Sequence, residues 1–347
     1  MTKQGCSIHS AMRRLVASTF FLLVLTAAIT PAQTFNSKGD HYTRGVAKYE
    51  KGDFDGAIAE FNQVIEASLN DVSLFAQPAG TKRANDRNLV IAYGDLVLVV
   101  PRAAAAYYCR GLAQFKQRNY EDAIADFNQA IRMVPRYSAA WTNLSAALFL
   151  KGEVESAIKA ADQALELRPR NSIAYHNRGV ARANKGERDQ AIADFNKAIE
   201  LDPKSDQSFL QRGNTWLSKQ EWDKAMADFN RALKLNPRLA SAYNNRGNTL
   251  FNKMEFEAAQ AEYDRALEIN PRLAEAWFNR GLAKVWFGKE TEAESDFNRC
   301  RELDPKMAEA IDRRVALVRT LRAAQPSEQS TAHKKPDDKS SVIRNRE

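Results

Sequence analysis

Six segments starting at Ala104, Ser138, Ser172, Asp206, Ala240 and Ala274 align beneath one another without a gap, each 34 residues long. A period of this length constrains the chain more than any other feature. One short unit cannot bury its own apolar face, so each unit must stack on the next. Counted from each start, position 32 is always proline (Pro135, Pro169, Pro203, Pro237, Pro271, Pro305) and position 20 always alanine (Ala123, Ala157, Ala191, Ala225, Ala259, Ala293). Position 8 is small: Gly111, Ser145, Gly179, Gly213, Gly247, Gly281. Position 24 is Phe127, Ala161, Phe195, Phe229, Tyr263, Phe297.

Each unit reads as two short helices. The first carries an aromatic anchor at position 4 (Tyr107, Trp141, Tyr175, Phe209, Tyr243, Trp277) and then the small residue, which lets two helices approach closely. The second has helical apolar spacing, as in Ala191, Phe195, Ala198 and Ile199. Proline ends it, because proline cannot continue the hydrogen-bond ladder and disfavours helix in the residue before it. Polar turns such as Lys185-Gly186-Glu187 separate the two.

This pattern resembles the tetratricopeptide repeat, whose aromatic, small, alanine, aromatic and proline positions are met in most units. The resemblance implies an all-α fold: a right-handed α-solenoid of tandem helix-turn-helix repeats, with the first helices lining a concave groove. Six regular repeats span 104–307, and an earlier one spans 38–69, with Gly45, Gly52, Phe54, Ala57 and Phe61 in register. Residues 70–103 fill one further repeat length. Tyr93 and Pro101 keep register there, but the half containing Pro78 and Gly80 does not read as a helix, so the segment is a degenerate repeat or an insertion. Residues 308–322 are expected to form a capping helix with Ile311, Val315 and Val318 on its apolar face. The polar stretch 323–347 is expected to be disordered.

Two positions vary in an informative way. Position 7, commonly leucine in the family, is Arg44, Arg110, Arg178, Arg212, Arg246 and Arg280, and position 23 in the same repeats is Glu60, Asp126, Asp194, Asp228, Glu262 and Asp296. The one regular repeat with Leu144 at position 7 has Ala160 at position 23. Cation and anion come and go together, which predicts structural charge pairs between the two helices, since a buried arginine without its partner is costly. Position 6 holds Asn143, Asn177, Gln211, Asn245 and Asn279 in succession. A carboxamide offers donors and an acceptor, so the resemblance implies a ladder that could bind the backbone of an extended peptide, as in the repeat region of O-linked N-acetylglucosamine transferases. The alternative is a polar lining that contacts only water. Tyr108, Phe115, Phe149, Leu210, Phe251 and Phe278 are further groove candidates.

Composition narrows the function. Net charge is +8, of which the segment 1–32 supplies +3 through Lys3, Arg13 and Arg14. Acids and bases alternate along the remaining helices, without the basic stripe of a nucleic-acid binder. The basic start, the apolar run Leu15–Ile29 and Thr30-Pro31-Ala32 have the layout of a secretory signal peptide ending at residue 32. An uncleaved anchor is the rival reading, although a span needs roughly 20 apolar residues. The expectation is therefore an exported protein, periplasmic or secreted, with no membrane span after cleavage. Cys109 and Cys300 would remain, able to form a disulfide in an oxidising compartment or to pack as buried thiols. Four histidines, none at a metal-ligand spacing, and the lack of any nucleophile or phosphate-loop motif predict no enzyme, no metal and no cofactor. The functional expectation is a scaffold or adaptor for a protein or peptide ligand. The alternative is a structural part of a cell-envelope complex assembling through its convex face or ends, and self-association is compatible with the same surfaces.

Overall fold

A computed structural model describes residues 40–70, 88–93 and 96–324. The signal-peptide reading of 1–32, the start of the 70–103 segment and all but the first two residues of the 323–347 tail lie outside the described residues. The chain divides into two compact units, the first ending at Leu239 and the second beginning at Ala240. In the first unit α1 (His41–Glu50) pairs with α2 (Phe54–Asn70), α3 (Arg102–Lys116) with α4 (Tyr120–Met133), and α5 (Ser138–Lys151) with α6 (Val154–Leu167). Two further pairs follow, α7 (Ser172–Lys185) with α8 (Arg188–Leu201) and α9 (Asp206–Ser218) with α10 (Trp222–Leu235). The second unit holds α11 (Ala240–Asn252) with α12 (Phe256–Ile269), and α13 (Ala274–Trp286) with α14 (Glu290–Leu303). It closes with α15 (Ala308–Ala323). The fold is an all-α solenoid of successive helix pairs.

The repeat positions explain these pairs. Phe61, Phe127, Phe195 and Phe229 are wholly buried, and Tyr263 and Phe297 nearly so. Each ring lies against the small residue at position 8: a Cβ built on Gly213 would stand 2.6 Å from Phe229 Cε1, and one on Gly179 2.8 Å from Phe195 Cε1. Second helices end at Met133, Leu167, Leu201, Leu235, Ile269 and Leu303, two residues before each proline. The residue between takes an extended φ near −135°, as at Val134 and Asp202. Ile311, Val315 and Val318 of α15 are buried, and α15 packs on α13.

Position 15, the turn between paired helices, is left-handed in every repeat. Gly52, Gly152, Gly186 and Gly288 take it at φ 73–93°, and so do Arg118, Gln220 and Met254 at φ 64–67°. A side chain there costs roughly 1–2 kcal/mol against glycine. Met254 is half exposed, so Met254→Gly is expected to raise stability by about 1 kcal/mol, read as a higher urea midpoint by circular dichroism. An unchanged midpoint would show the turn to be unstrained.

Beyond Asn70, the described part of 70–103 is not helical up to Pro101. Asn88–Tyr93 (β1) and Leu96–Pro101 (β2) form an antiparallel hairpin in which Tyr93 pairs with Leu96. α2 packs directly on α3, as neighbouring repeats do, and both strands of the hairpin contact α3, with Val100 buried in the core. The runs Leu89-Val90-Ile91 and Leu96-Val97-Leu98-Val99-Val100 are rich in β-branched residues, which favour strands. Two residues, Gly94-Asp95, separate them, the spacing of a tight hairpin.

Candidate functional site

The position 7 arginines lie on first helices and the position 23 acids on second helices of the same pair, and the fold brings them into two-point contact. Arg110 donates Nε and Nη2 to Asp126 at 2.8 and 2.6 Å. Arg178 does so to Asp194 at 3.0 and 2.6 Å, and Arg212 to Asp228 at 2.8 and 2.6 Å. In the second unit Arg246 meets Glu262 at 2.9 and 2.8 Å, and Arg280 meets Asp296 at 2.9 and 2.7 Å. In the first repeat His41, Arg44 and Lys48 converge on Glu60, which together hold its carboxyl near 2, far below the usual range, with Lys48 the largest cause. Hydrogen bonding to Asp126 and Asp296 in turn raises the pKa of Arg110 and Arg280.

In the five repeats from Arg110 onward that have the arginine, its guanidinium also lies over the position 4 ring of its own repeat, for example 5.3 Å from Tyr107, 5.4 Å from Tyr175 and 4.6 Å from Trp277. The third nitrogen reaches the preceding repeat. Arg110 Nη1 donates to Asn62, Arg178 to Asp162, Arg212 to Asn196 and Arg280 to Asp264, at 2.6–2.7 Å. These acceptors all occupy position 25, which is Asn or Asp in every repeat and therefore shows no covariation to notice. One arginine thus joins its own two helices and the repeat before it.

The carboxamides of position 6 are placed differently from a ladder open to a ligand. Asn143, Asn177 and Gln211 are at most 1% exposed. Asn143 Nδ2 donates to Tyr108 Oη at 2.8 Å, Asn177 Nδ2 to the Thr142 carbonyl at 3.2 Å, and Asn279 Nδ2 to Asn244 Oδ1 at 2.9 Å. All three acceptors belong to position 5 of the preceding repeat. The amides therefore form rungs between successive first helices, because a buried N–H left unmade is costly. Asn245 Oδ1 accepts from Asn244 and Gln211 Oε1 from Asn214. Asn177 Oδ1 is one of six buried side-chain atoms among the described residues without a hydrogen-bond partner, with Gln207 Oε1, Gln114 Oε1, Tyr49 Oη, Arg102 Nε and Arg182 Nε. Of the apolar groove candidates, Tyr108, Phe115, Phe149, Leu210 and Phe278 are buried in the core, and Phe251 packs edge-on to Phe256 at 5.0 Å.

Residues 108–172, and separately 172–205 and 240–273, match family models described as tetratricopeptide repeat, and 213–253 match one described as TPR repeat. The chain is a tetratricopeptide-repeat protein. Repeats of this family bind protein partners and generally carry no catalysis, so the chain is a protein-interaction scaffold. A tetratricopeptide repeat protein from Parabacteroides merdae ATCC 43184 has a similar crystal structure, with TM-score 0.59 and 18% identity over 81% of this chain and 99% of that one. PilF of Pseudomonas aeruginosa is similar with TM-score 0.52 and 21% identity, over 58% of this chain and 92% of that one. At these identities the likeness is one of fold. No curated protein matches the sequence.

His176 is buried, with Nδ1 3.0 Å from Ser208 Oγ and its ring edge-on to Phe195. Cys109 and Cys300 are free and buried, and burial pushes both thiols up to about 12. Among the described residues no group of three ligating side chains could hold a metal ion, and no helix is long and apolar enough to cross a membrane.

Proposed function

We propose that the chain is an exported adaptor that holds an extended segment of a partner protein along the face built by its first helices. The observation that carries this reading is the position 6 carboxamide of Asn177, whose amide is spent on a rung while its oxygen has no donor. A buried acceptor without a partner calls for an explanation. The final torsion of asparagine is broad, so a small rotation can offer the oxygen to an amide of a bound backbone. Export rests on the basic and apolar layout of residues 1–32.

The test is a pull-down from a periplasmic extract with the full-length protein and its Asn177→Leu variant as baits. Leucine removes the unpaired acceptor together with the rung to the Thr142 carbonyl, so the variant counts only if its helical circular dichroism and urea midpoint stay close to the parent's. A partner captured by the parent and lost by this variant is the expected result. A partner captured equally by both would move the contact away from the first helices, towards envelope assembly through another face. Mass spectrometry of the recovered bait should find Gln33 at its N-terminus, and recovery with residues 1–32 attached would remove the case for cleavage.

A further inference from the structure

Position 33, the residue after each proline, is a cation in all six regular repeats: Arg136, Arg170, Lys204, Arg238, Arg272 and Lys306. The structure puts it at the tip of the connection between repeats. In the first unit the N–H groups of Tyr137, Ser205 and Leu239 return to the carbonyl of position 31 at 3.0–3.3 Å, closing a tight turn with proline second and the cation third. At Lys204 and Arg238 the backbone N–H is also held at 3.1 Å by the side chain of Asp202 or Asn236. All six cations are exposed. None of their side chains forms an ion pair or hydrogen bond with a described residue. Arg102 follows Pro101 in the same register but is bound to Asp40, so it does not belong to the row.

We propose that the four cations of the first unit, Arg136, Arg170, Lys204 and Arg238, dock an acidic extended segment of a partner protein. Charge selects the occupant. The acids in the same connections are already engaged: Glu166 accepts from Gln163, Glu200 pairs with Lys197, Asp202 caps the Lys204 backbone and Asp206 accepts from Asn236. Arg132, Arg168 and Lys234, at the ends of the second helices, keep the cations in excess there. Three of the four tips are arginines, whose fork matches a carboxylate at two points. The turns are fixed by backbone bonds, so binding has only side chains to order. A bilayer fits less well, because only Met133 among the exposed large apolar residues of this unit lies within three residues of a tip, too little to anchor in lipid. A nucleic-acid strand needs open rings for its bases, and Tyr175 and Phe209, five residues after two of the tips, lie under Arg178 and Arg212. The surface belongs to the connections, apart from the position 6 row, and does not rest on it.

The test is fluorescence anisotropy of a fluorescein-labelled peptide of five Gly-Glu-Glu-Ser units, titrated with the full-length protein at low ionic strength. Saturable binding that weakens as salt is added is expected. Arg136→Ser, Arg170→Ser, Lys204→Ser and Arg238→Ser combined should weaken it about tenfold or more. Helical circular dichroism should stay unchanged, since these side chains hold nothing in the fold. The control removes the same charge elsewhere in the first unit. Lys51→Ser, Lys116→Ser, Arg118→Ser and Lys159→Ser, at exposed and likewise unbonded residues, should weaken binding by less than about threefold. Equal losses in the two variants would reduce the effect to net charge and overturn the proposal. Failure of the peptide to bind would overturn it too, with the occupant then a membrane or a nucleic acid if phosphatidylglycerol vesicles or a thymidine oligonucleotide bind through the row. Asn177→Leu should leave the peptide's affinity unchanged, and a loss there would move the acidic chain to the first helices and overturn the assignment to the turns.

Discussion

Gly213→Ser combined with Phe229→Ala is expected to cost clearly less stability than the two changes added together. Alone, serine at 213 places its Cβ 2.6 Å from Phe229 Cε1 inside a ring that is wholly buried and cannot step aside. Overpacking of this kind costs about 1–3 kcal/mol, offset by up to about 1 kcal/mol because glycine is a poor helix former. Phe229→Ala alone opens a cavity and costs about 3–5 kcal/mol. Together they reproduce the Ser145 and Ala161 of the Ser138 repeat, where the hydroxyl binds the Ala157 carbonyl. The equivalent acceptor at 213 is the carbonyl of Ala225. A coupling of about 2 kcal/mol is expected, within the range for residues in contact. Urea unfolding of the four proteins, followed by circular dichroism and fitted with a nearest-neighbour repeat model, measures it. Strictly additive costs would show that position 8 and position 24 are chosen independently.

The same logic applies to charge. Asp228→Ala removes the carboxylate that takes two bonds from Arg212 and leaves the guanidinium, four-fifths covered, without its acid. Breaking such a pair from one side costs about 3 kcal/mol or more. Arg212→Leu with Asp228→Ala should return to within about 1 kcal/mol of the parent, because an apolar pair of suitable shape replaces a buried ion pair at little cost. The chain already contains that pair as Leu144 and Ala160. Thermal unfolding in low salt checks it. A double variant as unstable as Asp228→Ala would mean that the bond from Arg212 to Asn196, and not the charge pair, carries the stability.

Both predictions rest on features legible in the sequence, because every repeat places the same positions in the same surroundings. Position 8 and position 24 change together, as do positions 7 and 23. Positions that never vary were silent by the same token: position 25, which accepts from Arg110, Arg178, Arg212 and Arg280 of the following repeat, is Asn or Asp throughout, so nothing contrasts with it. The left-handed turn at position 15 was obscured for another reason. Arg118, Gln220 and Met254 occupy it beside four glycines, so residue type alone does not announce the conformation. The hairpin of Asn88–Pro101 was missed because it occurs once and has no second copy to align. Its own signal, two β-branched runs around Gly94-Asp95, was present and outweighed by the match in length.

By itself, then, the sequence determined the helix pairs, their period, their core and the arginine–acid pairs, since each depends on residues within one repeat or at a constant offset. Only the tertiary structure decided where the carboxamides point. Their partners at position 5 are a phenol, a backbone carbonyl and another carboxamide, three groups with no common residue type. It also decided that the position 33 cations stand at turn tips with no bond of their own. A hydrogen bond between neighbouring elements, or its absence, depends on how their surfaces meet, and that is fixed by packing and not by any one position in the chain.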